Sequence, residues 1–167
     1  MKSILVIGLG RFGRHLSLKL MELGNEVMAI DEDEEAVEAV APFVTASRIG
    51  NCQDVDVLKE LGVNNFDICF VCISDDFQSS LEVTFSLKEL GARYVIARAD
   101  REAQTKFLHK IGADEVIHPE KEMAQRTAVK YSARNAFDYI ELTPEYAIFE
   151  IRTPEAWLGK TVAEAEI

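Results

Sequence analysis

The sequence predicts an α/β fold: a doubly wound parallel sheet with helices on both faces. Three observations predict it. Short apolar runs rich in Val and Ile alternate with amphipathic stretches of helical spacing. Most of those runs lack the polar alternation of half-solvated strands, as expected for strands covered on both faces. Finally, Leu23-Gly24, Leu61-Gly62, Leu90-Gly91 and Ile111-Gly112 each close a helical stretch with a glycine suited to left-handed backbone, and a strand follows each time.

Taken in order, a strand at Ser3–Ile7 leads into a helix at Gly13–Leu23, where Phe12, Leu16, Leu20 and Leu23 recur at helical spacing. A strand at Glu26–Ile30 precedes a helix at Glu34–Val40. A third strand at Ala41–Ala46 precedes a helix at Gln53–Leu61, and a fourth at Asp67–Ile73 precedes a helix at Phe77–Leu90. Strands Tyr94–Arg98 and Asp114–Ile117 flank a helix at Arg101–Lys110. With right-handed crossovers, six such strands take the order 3-2-1-4-5-6. His118-Pro119-Glu120 starts another helix, running to about Asn135, with proline near the first turn where its missing N–H costs little. Phe137–Leu142 and Tyr146–Arg152 read as a hairpin turning at Thr143-Pro144-Glu145. The expected division is a sheet domain over residues 1–135, and a hairpin with the start of a further domain over 136–167.

Composition narrows the function. The 167 residues are 48% apolar and 28% charged, enough for a packed core. Eighteen basic against 29 acidic residues give a net charge of -11, which argues against nucleic acid as a partner and against a polybasic membrane patch. The apolar run Ile4–Leu9 is too short for a spanning helix and lacks signal-peptide flanks, so a cytoplasmic location is expected. Three cysteines do not suggest a disulfide framework.

The chemistry-bearing motif is Gly8-Leu9-Gly10-Arg11-Phe12-Gly13, a G-x-G-x-x-G between a strand and a helix. Its glycines serve a tight turn, close approach to a pyrophosphate, and close helix–strand packing. The anion then meets free N–H groups at the positive helix end. Asp31 ends the second strand, placed to accept hydrogen bonds from ribose hydroxyls and to repel a 2′-phosphate. Arg11 reads as a phosphate clamp, the plainer alternative being a solvated side chain. In the loop Gly50-Asn51-Cys52, Cys52 reads as packing against a base. Cys69 and Cys72 spell C-x-x-C, but three positions along a strand send the thiols to opposite faces, so we read them as core residues.

Catalytic groups are harder to find. No Tyr-x-x-x-Lys occurs, His15 and His109 fall on helices, and His118 sits at a strand end before Pro119. The sequence offers a nucleotide site without an evident acid or base beside it.

These residues resemble the RCK/KTN (TrkA-N) domains, regulators of potassium conductance, and in particular the regulatory subunits of bacterial Ktr/Trk potassium-uptake systems. The resemblance spans residues 3 to 151. It rests on Val6 to Gly13, Ala29-Ile30-Asp31, Leu61-Gly62-Val63 with the strand Phe66–Ser74, and above all the run Lys110 to Met123 around Gly112-Ala113-Asp114 and His118-Pro119-Glu120. It implies a cytoplasmic regulator whose dimers assemble into an octameric ring on a membrane potassium channel or transporter. Its ligands would be NAD(H) or ATP/ADP. By position, Gly8, Gly10, Arg11, Phe12 and Gly13 would form the phosphate loop, and Asp31 would hold the ribose. Asn51, where the family often has Asp, and Cys52 would line the adenine pocket. Ser74 and Asp75 end the fourth strand, and Arg98 would face the phosphates. Glu120 matches an acid that helps bind a cation at the dimer interface in some members. Pro154–Ile167 resembles the start of the family's C-terminal domain. The alternatives are a small NAD-dependent oxidoreductase and an NAD redox-sensing module.

Overall fold

A computed structural model describes residues 1–132, 136–143 and 146–165. Six parallel strands run in the order β3-β2-β1-β4-β5-β6, the order predicted. They are β1 (Ser3–Ile7), β2 (Glu26–Asp31), β3 (Ala46–Ile49), β4 (Ile68–Val71), β5 (Val95–Arg98) and β6 (Glu115–Ile117). The helices of this sheet are α1 (Arg11–Glu22), α2 (Glu34–Val40), α3 (Val55–Leu61), α4 (Phe77–Glu89) and α5 (Glu102–Lys110). The chain forms two compact units, Met1–Pro119 and Glu120–Ile167, and the sheet belongs to the first.

β1 is central. It pairs with β2 on one side, Val6 opposite Ala29, and with β4 on the other, Val6 opposite Phe70. Its side chains alternate between two cores: Leu5 and Ile7 join Leu58, Val83, Leu87 and Leu108, while Ile4 and Val6 join Leu9, Val27, Val37 and Val40. Cys69 belongs to the first core and Cys72 to the second, so the C-x-x-C thiols do point to opposite faces.

Two expectations are corrected. The third strand is not Ala41–Ala46. Pro42 sits in a short 3₁₀ turn over Ala41–Phe43, and the strand begins at Ala46. β3 is an edge strand bonded only to β2, and its half-exposed faces accept Ser47 and Arg48 where an apolar run was sought. The first helix begins not at Gly13 but at Arg11, with Gly10 as its N-cap, so the last half of the glycine motif is already helical. Other ends move by one or two residues. α3, for instance, starts at Val55 because the Asp54 carboxylate caps it. The predicted helix end at Asn135 and the turn residues Pro144 and Glu145 lie outside the described residues.

Helix ends follow the sequence. Gly62 has φ 65° and ψ 53°, the left-handed conformation that only glycine adopts without strain, and Gly24, Gly91 and Gly112 share the positive φ. The second unit holds α6 (Pro119–Ser132) from Glu120 onward and the antiparallel pair β7 (Ala136–Thr143) and β8 (Tyr146–Ile151), with Tyr139 opposite Phe149. Among the described residues no helix is long and apolar enough to cross a membrane.

Asp114 ties the far end of the sheet together. Its Oδ2 accepts from the Val95 N–H at 2.7 Å and from Lys88 Nζ at 2.9 Å, joining β5, α4 and the approach to β6. Burial works against the charged form, but the Val95 N–H and the Lys88 ammonium outweigh it and hold the carboxyl below its ordinary value. A depressed folded-state value means this contribution is present at neutral pH and is lost as acid protonates the folded carboxylate. Asp114→Ala is expected to lower unfolding stability by about 1–3 kcal/mol at pH 7, with a smaller deficit in strong acid, as urea titrations at the two pH values would read.

Candidate functional site

A cleft of about 330 Å³ opens at the carboxyl ends of β1, β2 and β4, where the strand order reverses. The turn after β1 builds its floor. Gly8 has φ 91° and its N–H bonds Ile30 O at 2.9 Å, and a side chain there would lie 3.1 Å from the Cys72 carbonyl carbon. Gly13 is tighter: a Cβ would come within 1.9 Å of Gly8 O, so only glycine lets α1 lie on the turn. Gly10 is different. Its φ of -58° is available to any residue, and a Cβ there would meet nothing within 4 Å, yet the position borders the cleft. A side chain at Gly10 would project into space that neither fold nor packing requires to be empty.

The end of α1 beside it is prepared for an anion. α2, α3 and α4 are each capped by an aspartate: Asp33 bonds the Glu35 N–H, Asp54 the Asp56 N–H, and Asp76 the Gln78 N–H, all at 2.9 Å. α1 has no side-chain cap and no acid in its first turn, and Arg11 opens it with an exposed side chain. Gly10, the N-cap, borders the cleft, so the positive end of the helix dipole lies beside it.

Asp31 joins the parts. Its Oδ2 accepts the Leu9 N–H from the glycine turn, its Oδ1 accepts the Asp33 N–H at 3.0 Å, and its carbonyl accepts the Gly50 N–H at 2.9 Å. Each carboxylate oxygen keeps a lone pair for a hydroxyl donor. Beyond it the lining includes the apolar Ile30, Gly50 and Cys52 and the polar Asn51. On the opposite wall Ser74 donates to Asp75 Oδ1 at 3.1 Å. The lining carries the carboxylates of Asp31, Glu32, Asp75 and Asp76 and no Lys, Arg, His or Tyr. An anion there would be met by backbone N–H groups and the helix end, and a hydroxyl donor would find carboxylate acceptors.

Of the residues singled out in sequence, Gly8, Gly10, Asp31, Asn51, Cys52, Ser74 and Asp75 come together around the cleft. Phe12 packs in the second core, and the Arg98 guanidinium lies over its ring at 5.9 Å while bonding Asp100 at 3.1 Å, so Arg98 does not line the cleft. Glu120 is exposed in the first turn of α6, in the second unit. Among the described residues no group of three or more His, Cys, Asp or Glu is gathered to hold a metal. His118 Nε2 pairs with Thr105 Oγ1 at 2.8 Å, and His109 Nδ1 with Ala113 O at 3.0 Å. Sequence reasoning missed Glu32, Gln53, Asp76 and Ser79 in the lining. The Asp76 cap before the helix at Phe77 was a readable signal; Gln53 carried none.

The comparisons decide the family. The family description "TrkA-N domain" matches residues 4–119. The chain belongs to the TrkA-N domain family. It is 41% identical over 166 residues to the Ktr system potassium uptake protein C of Bacillus subtilis, covering 99% of this chain and 75% of that protein. Among solved structures, the GsuK channel bound to NAD superposes with a TM-score of 0.63 at 17% identity, covering 81% of this chain and 24% of that one. GsuK bound to ADP gives 0.67 at 15% identity, covering 77% and 34%. These two show that the TrkA-N fold is shared.

Burial removes the thiols of this TrkA-N domain from chemistry. Cys52 is pushed up to about 12 by burial, with Asp31 adding and Arg48 opposing; burial likewise lifts Cys69 and Cys72 to about 12. Iodoacetamide at pH 8 should label none of the three in the folded chain and all three in urea, as read by intact mass. Gly13→Ala should cost about 2–3 kcal/mol or prevent folding, because the added carbon meets backbone that cannot step aside.

Proposed function

We propose that this chain is the nucleotide-sensing regulatory subunit of a potassium-uptake system, with an adenine nucleotide, NAD(H) or ATP/ADP, bound in the cleft. The observation that carries the reading is Gly10: an unstrained glycine with nothing around its missing side chain, at an uncapped helix end. Close approach of a pyrophosphate accounts for it, and packing does not. Asp31, with Glu32 beside it, suits a ribose bearing free hydroxyls and disfavours a 2′-phosphate. The likeness to a Ktr potassium-uptake protein supports the physiological setting, and the NAD and ADP bound to GsuK support the ligand class.

The ligand is sensed rather than consumed. No His, Lys or Tyr borders the cleft to move a proton, and the cysteines there are protonated. A ligand shifts a conformation only by its differential affinity for two states, typically about 1–3 kcal/mol per site. Copies of the chain, paired as dimers in an octameric ring at the cytoplasmic face of a membrane potassium channel or transporter, would sum that bias into a gating force. In this arrangement Arg11 reaches the terminal phosphate, Glu120 helps hold a cation between paired subunits, and residues 136–167 lead into the next domain.

The test uses Gly10→Ala. Alanine is a poorer N-cap than glycine, so the fold should survive with unfolding stability lowered by about 1 kcal/mol. Wild type at about 100 times the Kd of its ligand gains about 2.7 kcal/mol from ATP, ADP, NAD or NADH, and the variant gains nothing. Wild-type stability indifferent to all four nucleotides would overturn the reading. Nucleotide-dependent potassium flux through the co-purified membrane subunit then checks the setting.

A further inference from the structure

Arg98 is held where a surface cation would not be. It ends β5 opposite Ile117 of β6, and its side chain is only 12% exposed although it does not line the cleft. Its pair with Asp100, at 3.1 Å, gives no reason for that burial. Asp100 is exposed and two residues along the chain, and such a pair forms as readily in solvent, where the guanidinium keeps its hydration. What burial adds is the face of Phe12, whose ring centroid lies 5.9 Å from the guanidinium carbon. The Arg98 charge also reaches Cys72, where it opposes the rise caused by burial. Cys72 in turn abuts α1: its Cβ would lie 3.3 Å from a Cβ at Gly13. Arg98 is therefore built in beside the first turn of α1.

That turn carries the groups an anion would meet. The first bond of the helical ladder runs from the Arg14 N–H to Gly10 O at 3.0 Å, so the N–H groups of Arg11, Phe12 and Gly13 precede it. Phe12 is the middle one of the three, and its side chain is half-buried against the second core. A flat cation over an aromatic face restrains the ring more closely than apolar packing does, because attraction to the ring quadrupole depends on direction. We propose that Arg98 is a positioning residue for the nucleotide: stacked on Phe12, it holds the first turn of α1 so that these N–H groups face the ligand's phosphates, which Arg98 itself does not touch. The inference rests on the nucleotide reading above.

The experiment is a double-mutant cycle read as ADP affinity, by calorimetric titration of the whole chain, with urea titration to establish that each variant is folded. Arg98→Gln removes the charge, Phe12→Leu removes the ring face while keeping an apolar side chain, and each should weaken ADP about fivefold. The double variant should be no weaker than Phe12→Leu alone, because Arg98 acts only through the ring. Asp100→Asn, which breaks the ion pair and leaves the stack, should stay within about twofold of wild type. If Arg98→Gln does not fold, Arg98→Lys takes its place in the cycle, with a loss of about threefold because the ammonium lacks the flat face. Arg98 variants that bind ADP as wild type does overturn the inference. So do losses that multiply in the double variant, the result for a charge that acts on the ligand at long range, and so does Asp100→Asn matching Arg98→Gln. In all three cases the nucleotide reading stands. Should wild type not take ADP, the cycle is run with ATP, NAD or NADH, and failure with all four overturns both.

Discussion

The cleft depends on one close approach, that of α1 to the turn after β1. A helix can rest there only because Gly13 has no side chain to strike the Gly8 carbonyl, and Gly8 none to strike the chain leaving β4. That contact aims the positive end of α1 along the carboxyl edge of the sheet. It also fixes the distance from the helix end to Asp31, which bonds the Leu9 N–H inside the same turn. Three strands, one helix and the principal carboxylate are positioned by the absence of two carbon atoms.

Much of this was legible because local rules decide it. The glycine motif, the strand ahead of it, the acid closing β2 and the helix-ending glycines each follow from a few neighbouring residues, and sheet order follows from their repetition. Where the sequence misled, a turn residue or a remote partner decided. Ala41–Ala46 looks like a strand by composition, but Pro42 turns the chain, and the edge position of β3 excuses Ser47 and Arg48 from the apolar pattern. Arg98 ends its strand as expected, yet it meets Phe12, and only the folded position of the start of α1 puts an aromatic ring in its reach. The pairing of Gln53 with Glu82 was invisible for the same reason, being made by the order of strands and not by any spacing in the chain.

Charge follows a similar logic. The cleft is acidic although its proposed ligand is an anion. The two agree once the ligand is divided by chemistry: phosphates beside uncapped backbone N–H groups, sugar hydroxyls beside carboxylates, the base against Ile30 and Cys52. The backbone would supply attraction without a mobile cation. The carboxylates would then discriminate against ligands carrying extra phosphate on the sugar.

Asp31 serves two masters. Its oxygens fasten the loop that follows the first strand to the start of the second helix, and the same atoms face the cleft. A guest that draws on their remaining lone pairs would pull on the seam between the first two βα repeats. Any tightening at that seam is felt by the edge strand through the Gly50 amide. Binding at these oxygens and the mechanical stiffness of this corner would therefore be a single property, adjustable together and inseparable by substitution at this position.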